Sequence, residues 1–303
     1  MALPRTRLPS RVLGRRDDAL QLLSVACSAG ITPFLTTRFP DATVASLVGA
    51  DGVHEWPAVV IALGEGAPAL APTGLASTGE IDAAPVEFPL VTAAQHAGDL
   101  DALGDPWGAG DPASVPIYAS PPIDAVVLSK GSIKLLDRNG TVSLDMFRTS
   151  MLAATRGVDV PHVAAVHAVD GMAPGIYAWP EPVPRRTGDL RDELYRLALE
   201  QGLAQDAAFV AIGTTDVAAL DDRSYREAQL AAGLVEGRLH LLAYALGGAA
   251  CGMTFADSEI PAVVGEPVDG LLLTCVGVPE YASATGGAPG APAGVRRVTP
   301  RAS

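Results

Sequence analysis

Apolar runs and glycine breaks alternate along this chain, and the pattern predicts elements that are mostly buried. Ala19 to Gly30 is apolar with no clear polar face, as expected of a helix covered on most sides. Val59–Leu63 and Leu271–Val276 are short continuous runs of Val, Ile and Leu, the signature of buried strands. Ser143 is placed to N-cap a helix carrying Leu144, Phe147, Met151 and Leu152 towards Gly157. Val163–Val169 reads as a strand, Gly171 to Gly175 as a turn, and Ile176–Trp179 as a short returning strand. Asp189 to Gln201 is an amphipathic helix and Ala207–Ile212 another buried strand. Asp222 or Ser224 opens a long helix, and Arg238 to Leu246 either continues it or forms a second helix broken at Gly237. Alternating helices and strands predict a layered domain with helices covering a sheet.

The two ends of the chain match each other. LQLLSVACSAG, FPDATVASLVG and PAVVIALGEGAP near the N-terminus answer LHLLAYALGGAACG, FADSEIPAVVG and LLLTCVGVP near the C-terminus. Leu20, Leu22 and Leu23 align with Leu239, Leu241 and Leu242, and Phe39 and Asp41 with Phe255 and Asp257. Val48 and Gly49 align with Val264 and Gly265, and Gly64 with Gly277. Each copy runs from apolar helix through a glycine break and an F-x-D segment to a small helix and an apolar strand. The repeat is partial, because the first copy has little sequence before it. The expected organisation is a C-terminal portion of a first repeat over 1–93, a Gly/Pro/Asp-rich linker over 94–122, and a nearly whole domain over 123–303.

Composition narrows the function classes. The chain has 303 residues, 49% hydrophobic and 18% charged, ample for packed cores and unlike a disordered chain. With 21 Lys+Arg against 34 Asp+Glu the net charge is -13, which disfavours nucleic-acid backbones and anionic membrane surfaces as partners. Cys27, Cys251 and Cys275 are too few and too scattered for a disulfide framework or a zinc site, so no metal is expected and a reducing, cytoplasmic setting is. The basic N-terminus before the apolar run resembles a signal peptide, but Asp17 and Asp18 interrupt it. The longest apolar run, Leu241 to Ala256, is short of the roughly 20 residues of a spanning helix and holds three glycines. No transmembrane segment is expected.

No side-chain nucleophile motif, Walker loop or dinucleotide fingerprint is present. His54, His96, His162, His167 and His240 lack ligand spacing and read as structural histidines. The chemistry-bearing feature is a pair of cations. Lys130 and Lys134, the two lysines of the chain, bracket Ser132 beside Gly131, which would suit a phosphate. A solvated turn is the alternative reading of the same residues.

KGSIKLLD, a helix ending in AATRG, VHAVDGMAPGIYAW, DRSYREAQLAAG and LHLLAYALGGAACGMTFAD follow one another in an order that resembles the nitroreductase superfamily. The resemblance covers about 123–280. It is closest to the branch that includes azoline dehydrogenases of peptide-natural-product pathways and tandem nitroreductases of actinobacteria. It implies an α+β fold, a mixed sheet flanked by helices that binds FMN, with a partial N-terminal copy of the same fold. The implied phosphate and ribityl contacts are Lys130, Ser132 and Lys134, with lysine in place of the family's arginines, so the charge stays and the bidentate fork is lost. The implied ring contacts are the backbone of Gly252, Met253 and Thr254, and Arg296 or Arg297 completes the phosphate site. The implied activity is FMN-dependent hydride transfer through flavin N5, with NAD(P)H as hydride donor and a small molecule or modified peptide as substrate. A homodimer, or a pseudo-dimer within one chain, would cover the flavin. The short segment Gly157–His162 and the lysine substitutions support the alternative of a flavin-free member acting as a binding or scaffold subunit.

Overall fold

The computed structural model describes residues 10–65, 86–108, 120–131 and 133–282. They fall into two compact units: Met1–Ala109 with Ala218–Leu230, and Gly110–Val217 with Ala231–Ser303.

The first unit holds α1 (Ser10–Ser28), β1 (Pro33–Thr36), α2 (Asp41–Val48), β2 (Val60–Leu63) and α3 (Pro89–Ala97). β1 and β2 pair antiparallel, with Phe34 opposite Ala62 and Leu35 opposite Ile61. The Gly64 N–H donates to Thr32 C=O at 3.0 Å, which extends the ladder and sets its phase. Every second pair exchanges hydrogen bonds in an antiparallel ladder, so Phe34/Ala62 and Thr36/Val60 are the bonded pairs. Ile61 and Leu63 therefore turn their N–H and C=O groups away from β1. On the other side of β1, Trp107 N–H donates to Leu35 C=O at 2.7 Å, and Gly104 N–H to Arg38 C=O at 2.9 Å. Gly104 lies so close that a Cβ there would meet Arg38 Cβ at 2.7 Å. The segment expected as linker thus opens inside α3, and its residues Gly104 and Trp107 border β1.

The second unit is built on a six-stranded sheet. Its strands are β3 (His162–Val166), β4 (Gly175–Ala178), β5 (Arg186–Thr187), β6 (Phe209–Thr215), β7 (Ala249–Met253) and β8 (Asp269–Gly277). Their order is β5-β4-β3-β6-β8-β7, antiparallel at every pairing. Period-2 alternation splits the strand residues between two apolar layers. Val163, Ala165, Val210 and Ile212 face α6 (Arg191–Leu197), α7 (Gly202–Asp206) and α9 (Ile260–Val264). Ala164, Val166, Phe209 and Ala211 face α5 (Leu144–Thr155) and the second half of α8 (Asp222–Ala245). Phe147 of α5 meets Phe209 edge-on, with ring centroids 4.9 Å apart. α4 (Ile123–Ser129) precedes the lysine segment.

Local signals act as the sequence predicts. Ser143 Oγ accepts from Met146 N–H and caps α5. At the other end of α5, Arg238 Nη1 donates to Ala154 and Arg156 C=O, satisfying carbonyls that the helix leaves unpaired. Burial lowers the Arg238 pKa to about 10. α8 runs through Gly237 without a break. The matched ends of the chain also correspond in form. β1, α2 and β2 repeat the order of β7, α9 and β8, and α2 and α9 each close on a left-handed glycine, Gly49 and Gly265.

Candidate functional site

The lysine segment is pinned from two sides. α4 ends at Lys130, whose N–H donates to Val126 C=O at 2.9 Å. Tyr244 of α8 donates its hydroxyl to Gly131 C=O at 3.0 Å, and Lys134 N–H donates to Tyr281 Oη at 2.8 Å. Ile133 and Leu136 are fully buried and anchor the stretch. The Lys134 side chain is exposed and Lys130 is half-buried. Ser132, Arg296 and Arg297 lie outside the described residues.

Gly252 and Met253 end β7, the edge strand of the sheet, and Thr254 follows it. Val276 C=O accepts from Ala208 N–H on the β6 side. Alternation then turns Cys275 and Leu273 towards β7, where they face Cys251 and Met253. Gly252 consequently directs its N–H and C=O outward from the sheet, and no described residue hydrogen-bonds to that N–H. Behind this strand lies a carboxylate. Glu236 of α8 is 8% exposed, and a Cβ added at Gly252 would fall 1.7 Å from its Oε1. Gly252 is thus a glycine because Glu236 occupies the space beside it.

The two expected contact groups stand at opposite ends of β7. Ala249 pairs with Gly277, and the chain continues from there through the Leu136–Pro279 bridge to Tyr281 and Lys134. Met253 pairs with Leu273 at the far end. The strand itself, from Ala249 to Met253, is about 13 Å long. A ligand with an anionic group at one end and hydrogen-bond acceptors at the other could use both. FMN has this form: its phosphate dianion suits the lysine segment, and its ring heteroatoms suit an outward backbone N–H. The residues present fit the group at both ends.

Buried histidines stand elsewhere. His162 Nδ1 lies 2.7 Å from Val160 C=O and His167 Nε2 lies 3.3 Å from Ala204 C=O. Desolvation lowers both pKa values to about 4. They are neutral at ordinary pH and serve the fold. Among the described residues no group of His, Cys, Asp and Glu side chains could hold a metal ion. Nor is any described helix long and apolar enough to cross a membrane.

The first unit carries a charge cluster that reading the sequence did not assemble. Asp41 opens α2; its Oδ1 accepts from Arg226 Nη2 at 2.7 Å and its Oδ2 from Arg223 Nη1 at 2.8 Å. Arg223 also donates to Gly98 and Thr37 C=O and lies 4.9 Å from the centroid of the Phe39 ring. Arg226 Nη1 reaches Asp99 Oδ1 at 3.2 Å. Burial, ahead of repulsion from Arg226, lowers the Arg223 pKa. Asp99 also holds His96 Nδ1 at 2.7 Å, while His96 Nε2 meets Gly52 C=O at 2.7 Å. Two acceptors favour the imidazolium and raise the His96 pKa, the Asp99 hydrogen bond most of all. The available signal was two arginines three residues apart on one helix face, a spacing that lets both reach one carboxylate.

No protein-family model and no curated protein matches the sequence. Solved structures do resemble it. A protein from Anabaena variabilis assigned as a nitroreductase superposes with a TM-score of 0.68 at 21% identity, over 88% of this chain and 64% of that one. This chain therefore spans less than two thirds of that protein's length. A nitroreductase-like protein from Streptococcus mutans gives a TM-score of 0.42 at 13% identity, over 57% of this chain and 92% of that one. An FMN-dependent nitroreductase from Clostridium difficile gives 0.39 at 14% identity, over 54% and 90%. With its helix-flanked antiparallel sheet and its superposition on the Anabaena protein, the chain has the nitroreductase-like α+β fold.

Proposed function

We propose that this chain is an FMN-dependent oxidoreductase of the nitroreductase type, acting on a small molecule or a modified peptide with NAD(P)H as hydride donor. The observation that carries the reading is the disposition along β7: an unbonded, outward Gly252 N–H at one end and the tethered lysine segment at the other. Lys134 and Lys130 would neutralise the phosphate as point charges. Tyr244 and Tyr281 hold that segment in place through its backbone. The Gly252 N–H would donate to the ring of bound FMN, and the exposed Thr254 follows it in the chain. Bound FMN would supply hydride transfer at its ring, so no side-chain nucleophile is required. An ionised Glu236 behind Gly252 would disfavour negative charge on a bound ring and so lower the potential of the flavin. A homodimer or a pseudo-dimer within one chain would bury the ring against a second half.

A flavin-free binding subunit is the competing reading, favoured by that same Glu236 carboxylate and by lysines that replace bidentate arginines. The visible spectrum decides. A yellow protein releasing FMN on denaturation is expected, with Lys130→Ala/Lys134→Ala binding FMN at least tenfold more weakly. A colourless protein that does not take up added FMN overturns the oxidoreductase and leaves the binding subunit.

A further inference from the structure

The outer edge of β2 is built like an interior strand and has no neighbour among the described residues. Val60–Leu63 reads VIAL, apolar at every position, and the strand is flanked by Val59 and by Gly64. Ile61 and Leu63 present their N–H and C=O groups on the side away from β1. Leu63 is 53% exposed and Val60, Ile61 and Ala62 are half-buried. An apolar edge of this kind, with free donors and acceptors, is a template for strand addition.

The second unit contains the same construction with its neighbour in place. β8 aligns with β2 in the matched ends of the sequence, has β7 on one side as β2 has β1, and carries β6 on the other. Phe209 to Thr215 runs antiparallel there, with Phe209 opposite Val276 and Ile212 opposite Leu273. Both faces of β6 are apolar and all but its last residue are buried. The superposition on the Anabaena protein accounts for 64% of that chain, so a further stretch of that protein has no counterpart in these 303 residues.

We propose that the β2 edge docks an antiparallel polypeptide strand of the β6 type, from a segment outside these 303 residues. The strand is six or seven residues long, apolar on both faces and free of proline, and it exchanges backbone hydrogen bonds with Ile61 and Leu63. The interaction is independent of any flavin, because it lies in the first unit and uses neither the lysine segment nor Gly252.

The probe is a fluorescein-labelled peptide with the sequence Ala208–Asp216 and terminal lysines for solubility, titrated into the whole protein and followed by anisotropy. A scrambled peptide is the control. Saturable binding, at least tenfold weaker for the scrambled peptide, is expected. Leu63→Pro removes an outward N–H and leaves the β1 ladder intact, so it should weaken binding tenfold or more at unchanged circular dichroism. Hydrogen exchange tests the same geometry without a variant. The Ile61 and Leu63 amides should exchange fast in the free protein and slow on adding peptide, while Ala62, already bonded to Phe34, stays slow throughout. The proposal falls if the peptide does not saturate, or if the Ile61 and Leu63 amides are slow in the free monomer, since the chain then covers its own edge. It falls equally if light scattering shows a dimer that Leu63→Pro dissolves, since a second copy then occupies the edge.

Discussion

β2 and β8 are two strands of similar composition, each followed or ended by a glycine, and they meet opposite fates. Eight of the nine residues of β8 are buried; none of the four in β2 is. The difference is not in the strands. β8 lies between β6 and β7 and under two helical layers, whereas among the described residues β2 has β1 alone beside it. Hydrophobic runs state what a segment can bury, and neighbours decide what it does bury. The first unit compensates with charge: Asp41, Arg223, Arg226 and Asp99 knit α2, α3 and the start of α8, where the second unit relies on two apolar layers.

The sharpest way to break this comparison is to remove one key group from each unit. Asp41→Ala leaves two arginines, each with a side chain no more than 10% exposed, without their shared carboxylate. Breaking a buried pair from one side costs about 3–5 kcal/mol. Hydrogen exchange should show α2 and α3 opening while β6 and β8 keep their protection. Phe209→Ala in the second unit should cost a similar 3–5 kcal/mol by leaving a cavity against Phe147, with the pattern of protection reversed. Equal loss in both units from either variant would show that they do not differ in what holds them.

Acid separates the units by sign. His162 and His167 titrate near 4 when folded and near 6.5 when unfolded. Between those values the unfolded chain binds more protons, so the second unit weakens as pH falls, by about 2 kcal/mol per histidine at pH 5. His96 has a raised folded pKa, so its contribution to the first unit is full below its unfolded value and is lost as pH rises through the folded one. Its side chain is half exposed, so that term is small. Melting followed from pH 7.5 to 5 with His162→Gln and His167→Gln variants should assign the acid loss to the second unit.

Smaller effects sharpen the site. Gly252→Ala should destabilise by about 1–3 kcal/mol through overpacking against Glu236, and Glu236→Ala in the same chain should recover most of it. If the double variant melts no higher than Gly252→Ala alone, the carboxylate is not what presses on that strand. Lys134→Ala should leave stability within about 0.5 kcal/mol, since its side chain is exposed; a larger drop in the melting temperature would make the lysine a structural residue.

Much of the second unit was legible in advance because its signals are local. The Ser143 cap, the turn before β4 and the apolar runs at β6 and β8 each state their element within a few residues. The length of α8 was left open at Gly237, and packing on both sides of that glycine keeps the helix whole. The Asp41 cluster was not legible because its members are about 180 residues apart and no periodicity links them. The environment of Gly252 was legible only in part. The resemblance marked its backbone as a ring contact, but the edge strand that carries it was not foreseen, and Glu236 looked like one more charge on a helix until the fold set it behind β7.

Pro33 gives the small sheet a direction. It stands where β1 would offer an N–H away from β2, and the neighbouring outward group, Leu35 C=O, is taken by Trp107. A sheet with two open edges can be extended at both and so propagate without limit, as fibrils do. This one is stopped at one edge by an imino acid and a bordering segment, and can lengthen only from the other. Strand addition here is a single event: the newcomer alone decides whether anything follows, and the unit cannot seed a two-ended array.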